Sequence, residues 1–317
     1  MALSRYRLPE ADGRVFLTDT GLEAWLIQAE GIDLACKAAF PLLETEAGRD
    51  RLDSYAAPFL HAAQAFGTGF VLNTPTWRAS SDWGGELGFS RSRLAVINRR
   101  AVAWAAELRA SFATAETPVV IGGLIGPRGD DYSHGLRLSV NEAQAYHRDQ
   151  IEILHDAGAD LISAPAIMTV DEAIGITRAA AAVGIPVLTG FQVGRDGCLP
   201  SGVTLAAALA ELDRATGSAP LGAMVDGERP DEMEMALPDA RGFDRVRCLT
   251  VGGLRRDADL RDAVIDQARA GRIGESYRML RTRLPGVSIL GVPCGLDHSS
   301  IRTICRALLP VSGAAAA

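Results

Sequence analysis

The run Ser139 to Ala164, SVNEAQAYHRDQIEILHDAGADLISA, carries a helix, its terminator and the strand that follows. It opens with Ser139-x-x-Glu142, the capping-box spacing in which hydroxyl and carboxylate satisfy N–H groups that a first helical turn leaves without partners. A helical pattern then runs over Val140–Ala157, interrupted on its apolar face by His147, which reads as structural. Gly158 suits the left-handed residue that ends a helix. Ala157-Gly158-Ala159-Asp160 leads directly into the apolar Leu161–Ala164, the short αβ turn of a βαβ unit.

The same grammar extends in both directions. Candidate strands are Val15–Thr18, Phe70–Asn73, Val119–Gly122, Leu161–Ala164, Val187–Phe191, Leu221–Val225, Val246–Val251 and Val287–Leu290. Between them lie the helical stretches Arg51–Ala65, Leu94–Phe112, Val140–Ala157, Val170–Val183, Leu205–Ala215 and Asp231–Leu237. A further stretch, Leu260–Ala270, is separated from Glu275–Leu284, and Ser300–Leu309 comes last. Thr169-x-x-Glu172 repeats the capping-box spacing, and Gly184 repeats the terminator. Eight strand–helix units without a long linker call for a parallel sheet with helices outside. An open doubly wound sheet and a closed barrel both satisfy that pattern. Eight units, in a domain of about 250 residues plus insertions, favour a single α/β (β/α)8 TIM barrel. The expected domain is residues 1–310, with 311–317 a disordered tail.

Composition narrows the function classes. In 317 residues, 48% apolar side chains can build a substantial core, and 22% charged residues argue against a disordered chain. A net charge of -7 disfavours a nucleic-acid partner. No apolar run reaches the roughly 18 to 20 residues of a membrane span, and Met1–Arg14 has no secretory h-region. A cytoplasmic protein acting on a small molecule is expected, without membrane or nucleic acid. The outer helical ring is compatible with a homodimer. Five widely spaced cysteines, Cys36, Cys198, Cys248, Cys294 and Cys305, read as reduced thiols, most of them buried. Of 32 basic residues Lys37 is the only lysine. That skew resembles codon bias in a GC-rich genome and by itself assigns no function.

In such a barrel, chemistry belongs to the loops at the C-terminal ends of the strands. These are Asp19–Glu23, Thr74–Arg78, Gly123–Tyr132, Pro165–Met168, Gln192–Gly202, Asp226–Arg229, Gly252–Arg255 and Gly291–His298. Their order and content resemble the homocysteine S-methyltransferase family along almost the whole chain. Thr18-Asp19-Thr20-Gly21-Leu22-Glu23 is similar to the family's Asp-Gly-x-x-x-Thr-Glu opening, one residue tighter. Asn73-Thr74-Pro75-Thr76-Trp77-Arg78-Ala79-Ser80 resembles its second-strand segment, and Gly126-Pro127-Arg128-Gly129 its Gly-Pro-x-Gly. Asp196-Gly197-Cys198-Leu199-Pro200-Ser201-Gly202 resembles its Asp-Gly-x-Leu-x-x-Gly loop. Gly291-Val292-Pro293-Cys294-Gly295-Leu296-Asp297-His298 is similar to its Gly-Gly-Cys-Cys-Gly-Thr signature.

The resemblance implies a barrel that holds Zn2+ through three cysteine thiolates, so that a bound thiol ionises and attacks a methyl group on a sulfonium or pterin. This chain departs from that pattern. Pro293 stands in place of the first strand-eight cysteine and Gly227 in place of the strand-six cysteine. Pro165 stands where the family has a glutamate for the amino group of homocysteine. Cys294 is the one surviving ligand position. No metal or other cofactor is therefore expected, and zinc would bind only if the site were rebuilt from Cys294 with Asp226 or His298.

Candidate catalytic residues are Cys294, Asp226 and Asp19. Cys294 precedes a helix N-terminus, whose dipole favours a thiolate; the two aspartates end strands, where they would serve as general bases or ammonium ligands. Gly21, Glu23, Thr74, Thr76, Trp77 and His298 are candidate substrate contacts. The leading expectation is methyl transfer from a sulfonium-type donor to a small thiol or related acceptor, with the zinc site lost or altered. A repurposed zinc-free barrel enzyme acting on a small polar metabolite is the alternative, as is a catalytically inactive binding barrel.

Overall fold

The computed structural model describes residues 13–129, 138–194, 196–227, 229–238, 241–251, 266–293 and 298–309. Cys294, Asp297, the loop 252–255, the helical stretch before residue 266 and the tail 311–317 lie outside them. Eight strands close in sequence order into a barrel: β1 (Phe16–Thr20), β2 (Gly69–Asn73), β3 (Val119–Leu124), β4 (Leu161–Ile167), β5 (Val187–Gln192), β6 (Gly222–Gly227), β7 (Val246–Val251) and β8 (Ile289–Pro293). Neighbouring strands are parallel throughout, and β8 returns to β1 with Asp19 opposite Val292. The single TIM barrel expected from the alternation of elements is the fold observed.

Around it lie α1 (Leu22–Gln28), α2 (Glu46–Phe66), α3 (Ser81–Glu86), α4 (Arg91–Phe112), α5 (Val140–Ala157), α6 (Val170–Val183), α7 (Leu205–Thr216), α8 (Pro230–Ala236), α9 (Gln267–Arg283) and α10 (Ser299–Leu308). The Ser139 capping box forms in full, and Gly158 and Gly184 end their helices in the left-handed region. At Thr169 only half the box forms. Its hydroxyl accepts from Glu172 N at 3.3 Å, but the Glu172 carboxylate turns inward to His147 and the backbone of Arg128. The break expected between residues 270 and 275 is absent, because α9 is continuous. Gly274 faces α10 so closely that a Cβ there would lie 2.5 Å from Ile304 O, so this glycine serves helix packing rather than a turn. No described helix is long and apolar enough to cross a membrane.

The side-chain period of two on each strand divides the interior. Outward residues such as Leu17, Ile121, Val225 and Leu290 join the large core beneath the helices. Inward, Phe16, Val71, Val120, Leu161, Leu188, Met224, Cys248 and Ile289, one from each strand, form a separate apolar plug. Two residues further along each strand the inward positions become Thr18, Asn73, Gly122, Ser163, Gly190, Asp226, Thr250 and Gly291. Three of these are glycines. A Cβ on Gly122 would approach Asn73 Oδ1 to 2.5 Å, and one on Gly190 would approach Asp226 Oδ2 to 2.8 Å; on Gly291 it would lie 2.6 Å from Thr250 Cγ2. The barrel is thus filled below and hollow above, at the end where its βα loops emerge.

Gly190→Ala tests that arrangement. The added methyl meets both the Asp226 carboxylate and the Pro165 backbone, at 2.8 and 2.9 Å. We expect a loss of about 1–3 kcal/mol in denaturant unfolding, the usual cost of overpacking. Unchanged stability would show that the space is not required.

Candidate active site

The hollow forms a pocket of about 180 Å³ at the C-terminal end of the strands. Its floor is Met224 with Thr18, Asn73, Ser163, Asp226 and Thr250, and its rim is built from Gly21, Glu23, Lys37, Thr74, Trp77, Arg78, Pro127, Pro165 and Gln192. Six residues singled out from the sequence therefore meet in one cavity: Asp19, Gly21, Glu23, Thr74, Trp77 and Asp226.

Asp19 projects from β1. Its Oδ2 accepts from the Tyr55 hydroxyl of α2 at 3.0 Å, whereas Oδ1 is buried without a hydrogen-bond partner. Burial raises its pKa to about 6, against the opposing pull of the Tyr55 and Asn73 hydrogen bonds. Gly21 follows at φ 98°, a left-handed conformation that suits glycine, and starts α1 so that Glu23 turns back into the pocket. Glu23 is 8% exposed. Burial and the nearby Asp19 charge push it up to about 7, and the Arg78 guanidinium pulls the other way. Across the cavity Asp226 accepts from the Thr250 hydroxyl and, at 2.8 Å, from Ala166 N. Burial raises it to about 6 despite both donors.

Arg78 escaped the sequence reading. It is 2% exposed, and its guanidinium lies 4.1 Å from the centre of the Trp77 ring and 3.8 Å from that of Trp83. Two indole faces stabilise a desolvated cation electrostatically, and a guanidinium also stacks on them. Trp77 packs against Gly126, where a Cβ would lie 2.5 Å from the ring, so the Gly-Pro-x-Gly segment seats this sandwich. That segment is anchored from behind. Arg128 N donates to Glu172 at 2.8 Å, Glu172 lies 2.9 Å from buried His147, and the Arg128 side chain donates to Asp82 at 2.7 Å. His147 is structural, as its place on an apolar helix face suggests.

Two anticipated contacts do not line the cavity. Thr76 donates to Leu124 O at 2.7 Å and lies 2.7 Å from the Thr74 hydroxyl, bracing β2 against β3. His298 packs behind the wall, with its ring 5.2 Å from Trp25, 6.0 Å from Phe59 and 6.1 Å from Tyr55. Cys294 lies outside the described residues. Of the other cysteines, Cys248 sits in the apolar plug and Cys305 is on the buried face of α10; burial raises both thiols, Cys305 to about 12.

A zinc ion held as the resemblance implies would need donors at the ends of β6 and β8. Gly227 ends β6, and even a Cβ there would be 3.2 Å from Met233 Cε. Pro293, which ends β8, has no ligating atom. Both Asp226 oxygens already accept hydrogen bonds, from the Thr250 hydroxyl and from Ala166 N. The described residues do not fit a three-ligand zinc site.

Comparison with known proteins fits this picture. The sequence model of the homocysteine S-methyltransferase family matches residues 19–308. No curated protein matches the chain. Among solved structures, the homocysteine methyltransferase MmuM from Escherichia coli in its oxidised form superposes with a TM-score of 0.73 at 16% identity, covering 94% of this chain and 99% of that one. Its metallated form gives 0.70 at 18% identity, with 92% and 96% covered. Identities this low establish a shared fold.

The raised carboxyls have a consequence for stability. Asp19, Glu23 and Asp226 bind a proton more tightly folded than unfolded, so ionising them costs the folded state. Stability therefore falls as pH rises from about 4 through about 7. The Asp19→Asn, Glu23→Gln double variant should flatten that fall in denaturant midpoints measured across the range. Parallel profiles for variant and parent would contradict the assignment.

Proposed function

The chain belongs to the homocysteine S-methyltransferase family, and on that premise we propose that it moves a methyl group from a sulfonium-type donor to a small acceptor without a zinc–thiolate site. The observation that carries this reading is the meeting of three desolvated carboxyls, Asp19, Glu23 and Asp226, in one small cavity walled by Trp77. A sulfonium is a soft cation. The unpartnered Asp19 Oδ1, the Glu23 carboxylate and an indole face are suited to receive it.

Transfer forms a bond between the methyl carbon and the acceptor and breaks the carbon–sulfur bond of the donor. The electron pair returns to that sulfur, leaving a neutral thioether, and the acceptor's proton passes to Asp226. A base of pKa about 6 facing an ordinary thiol near 8.5 meets an uphill transfer of about 3.4 kcal/mol. That is within reach of general-base catalysis but favours acceptors more acidic than homocysteine. Carboxyls titrating near neutrality are equally what a proton-transferring enzyme for a polar metabolite requires, which keeps that second reading in view.

We expect purified protein to hold well under one zinc per chain by elemental analysis and to form no methionine from S-methylmethionine and homocysteine. With an accepted donor–acceptor pair, Asp226→Asn should lower kcat about 100-fold or more, and a chelator should leave the rate unchanged. Stoichiometric zinc with brisk methionine formation would overturn the proposal.

A further inference from the structure

At the end of the barrel opposite the pocket, β7 carries one residue too many for its partner. Ala223 pairs with Val246 and Met224 with Cys248, which leaves Arg247 bulged between them. A bulge re-aims the side chain it carries. Here the Arg247 side chain folds over the start of β6, and two glycines make room for it. A Cβ on Gly222 would collide with Arg247 Cγ, and one on Gly286 would collide with Arg247 Nη1. Nη1 donates to the backbone carbonyls of Asp244 at 2.6 Å and Val246 at 3.2 Å. Among the described residues, Nε and Nη2 donate to nothing, and no carboxylate pairs with the guanidinium.

A second guanidinium reaches the same turn. Arg281, in the last turn of α9, donates from Nε to Val287 O at 3.3 Å, beside Gly286. Arg281 is half-buried, whereas Arg283 in the same turn is exposed. The helix dipole favours a cation at this end but does not require one turned inward. Burial lowers the Arg281 pKa, and no described acid pairs with it. Arg245, two residues before the bulged arginine, shows the contrast. It donates to Ser218 O and Pro220 O and pairs with Asp213 at 3.3 Å. Two cations brought to one turn from different elements repel each other, and the described residues place no carboxylate with either. We propose that Arg247 and Arg281 form a binding site for a phosphoryl group, free or carried on a larger molecule, at the N-terminal ends of β7 and β8. Two guanidinium forks on separate arms match a tetrahedral dianion better than a planar, singly charged carboxylate. The site goes beyond the methyl transfer proposed above and does not depend on it.

Equilibrium dialysis of the full chain against radiolabelled inorganic phosphate, at constant ionic strength, tests the proposal without any turnover. A single phosphate per chain should bind saturably, and Arg247→Gln and Arg281→Gln should each weaken it about tenfold. Arg283→Gln removes an exposed charge from the same helix end and should leave the affinity unchanged. Gly286→Ala keeps both charges but displaces the Arg247 guanidinium, so it should also weaken binding, which a diffuse positive surface would not show. Competition by glycerol 2-phosphate identifies a phosphoryl group carried on a larger molecule, and failure to compete identifies free phosphate. Absence of saturable binding would overturn the proposal. So would full affinity in both arginine variants, the sign of binding elsewhere, or displacement by acetate as effective as by phosphate.

Discussion

Three carboxyl groups above a plug of eight apolar side chains are tolerable only because the barrel was left hollow where they stand and donors were aimed at them. Taking a carboxylate out of water costs several kcal/mol unless hydrogen bonds replace its hydration. Asp226 receives Thr250 and Ala166 N, and Asp19 receives Tyr55. The compensation is incomplete, since all three groups remain raised and Asp19 Oδ1 has no partner. An incompletely solvated charge beside a cavity is poised to interact with whatever enters it. Gly122, Gly190 and Gly291 create the room, and every feature of the site depends on that room.

Much of the loop structure keeps the cavity open. Thr74 and Thr76 tie β2 to β3, and the Glu172–His147 pair holds the Arg128 backbone from behind. The aromatic nest of Trp25, Tyr55, Phe59 and His298 supports β1 and positions the Tyr55 hydroxyl on Asp19. These polar and aromatic residues resemble site residues in the sequence because they come from the same loops. Their chemistry is spent on rigidity. A methyl-transfer reaction gains from that, because the methyl carbon must lie in line between donor and acceptor.

The barrel was legible because its signals are local. Runs of apolar residues, Ser139 with Glu142, and glycines at helix ends each declare an element within a few residues, and α5 and α6 begin and end where those signals place them. Short elements inside loops, α1, α3 and the 3-10 turns Ala35–Lys37 and Phe40–Glu44, carry too few residues for a period to show. The site divides in the same way. Asp19, Glu23 and Asp226 stand out in the sequence because they adjoin strand ends, and the pocket brings them together. Arg78 was passed over because the contact of its guanidinium with two indole rings is a tertiary fact. Tyr55 is 36 residues from the aspartate it bonds, a separation no motif spans. Thr76 and His298 come from the same loops but do not line the pocket, since loop position does not tell a substrate contact from a brace.

The central claim is that Asp226 is a neutral-range base built by desolvation rather than a carboxylate at its ordinary value. Carbon-13 NMR of protein labelled at the aspartate carboxyl carbons, with the Asp226 resonance assigned by its loss in Asp226→Asn, measures this directly. The account predicts a titration midpoint near 6. A midpoint near the ordinary value of 3.8 would contradict it.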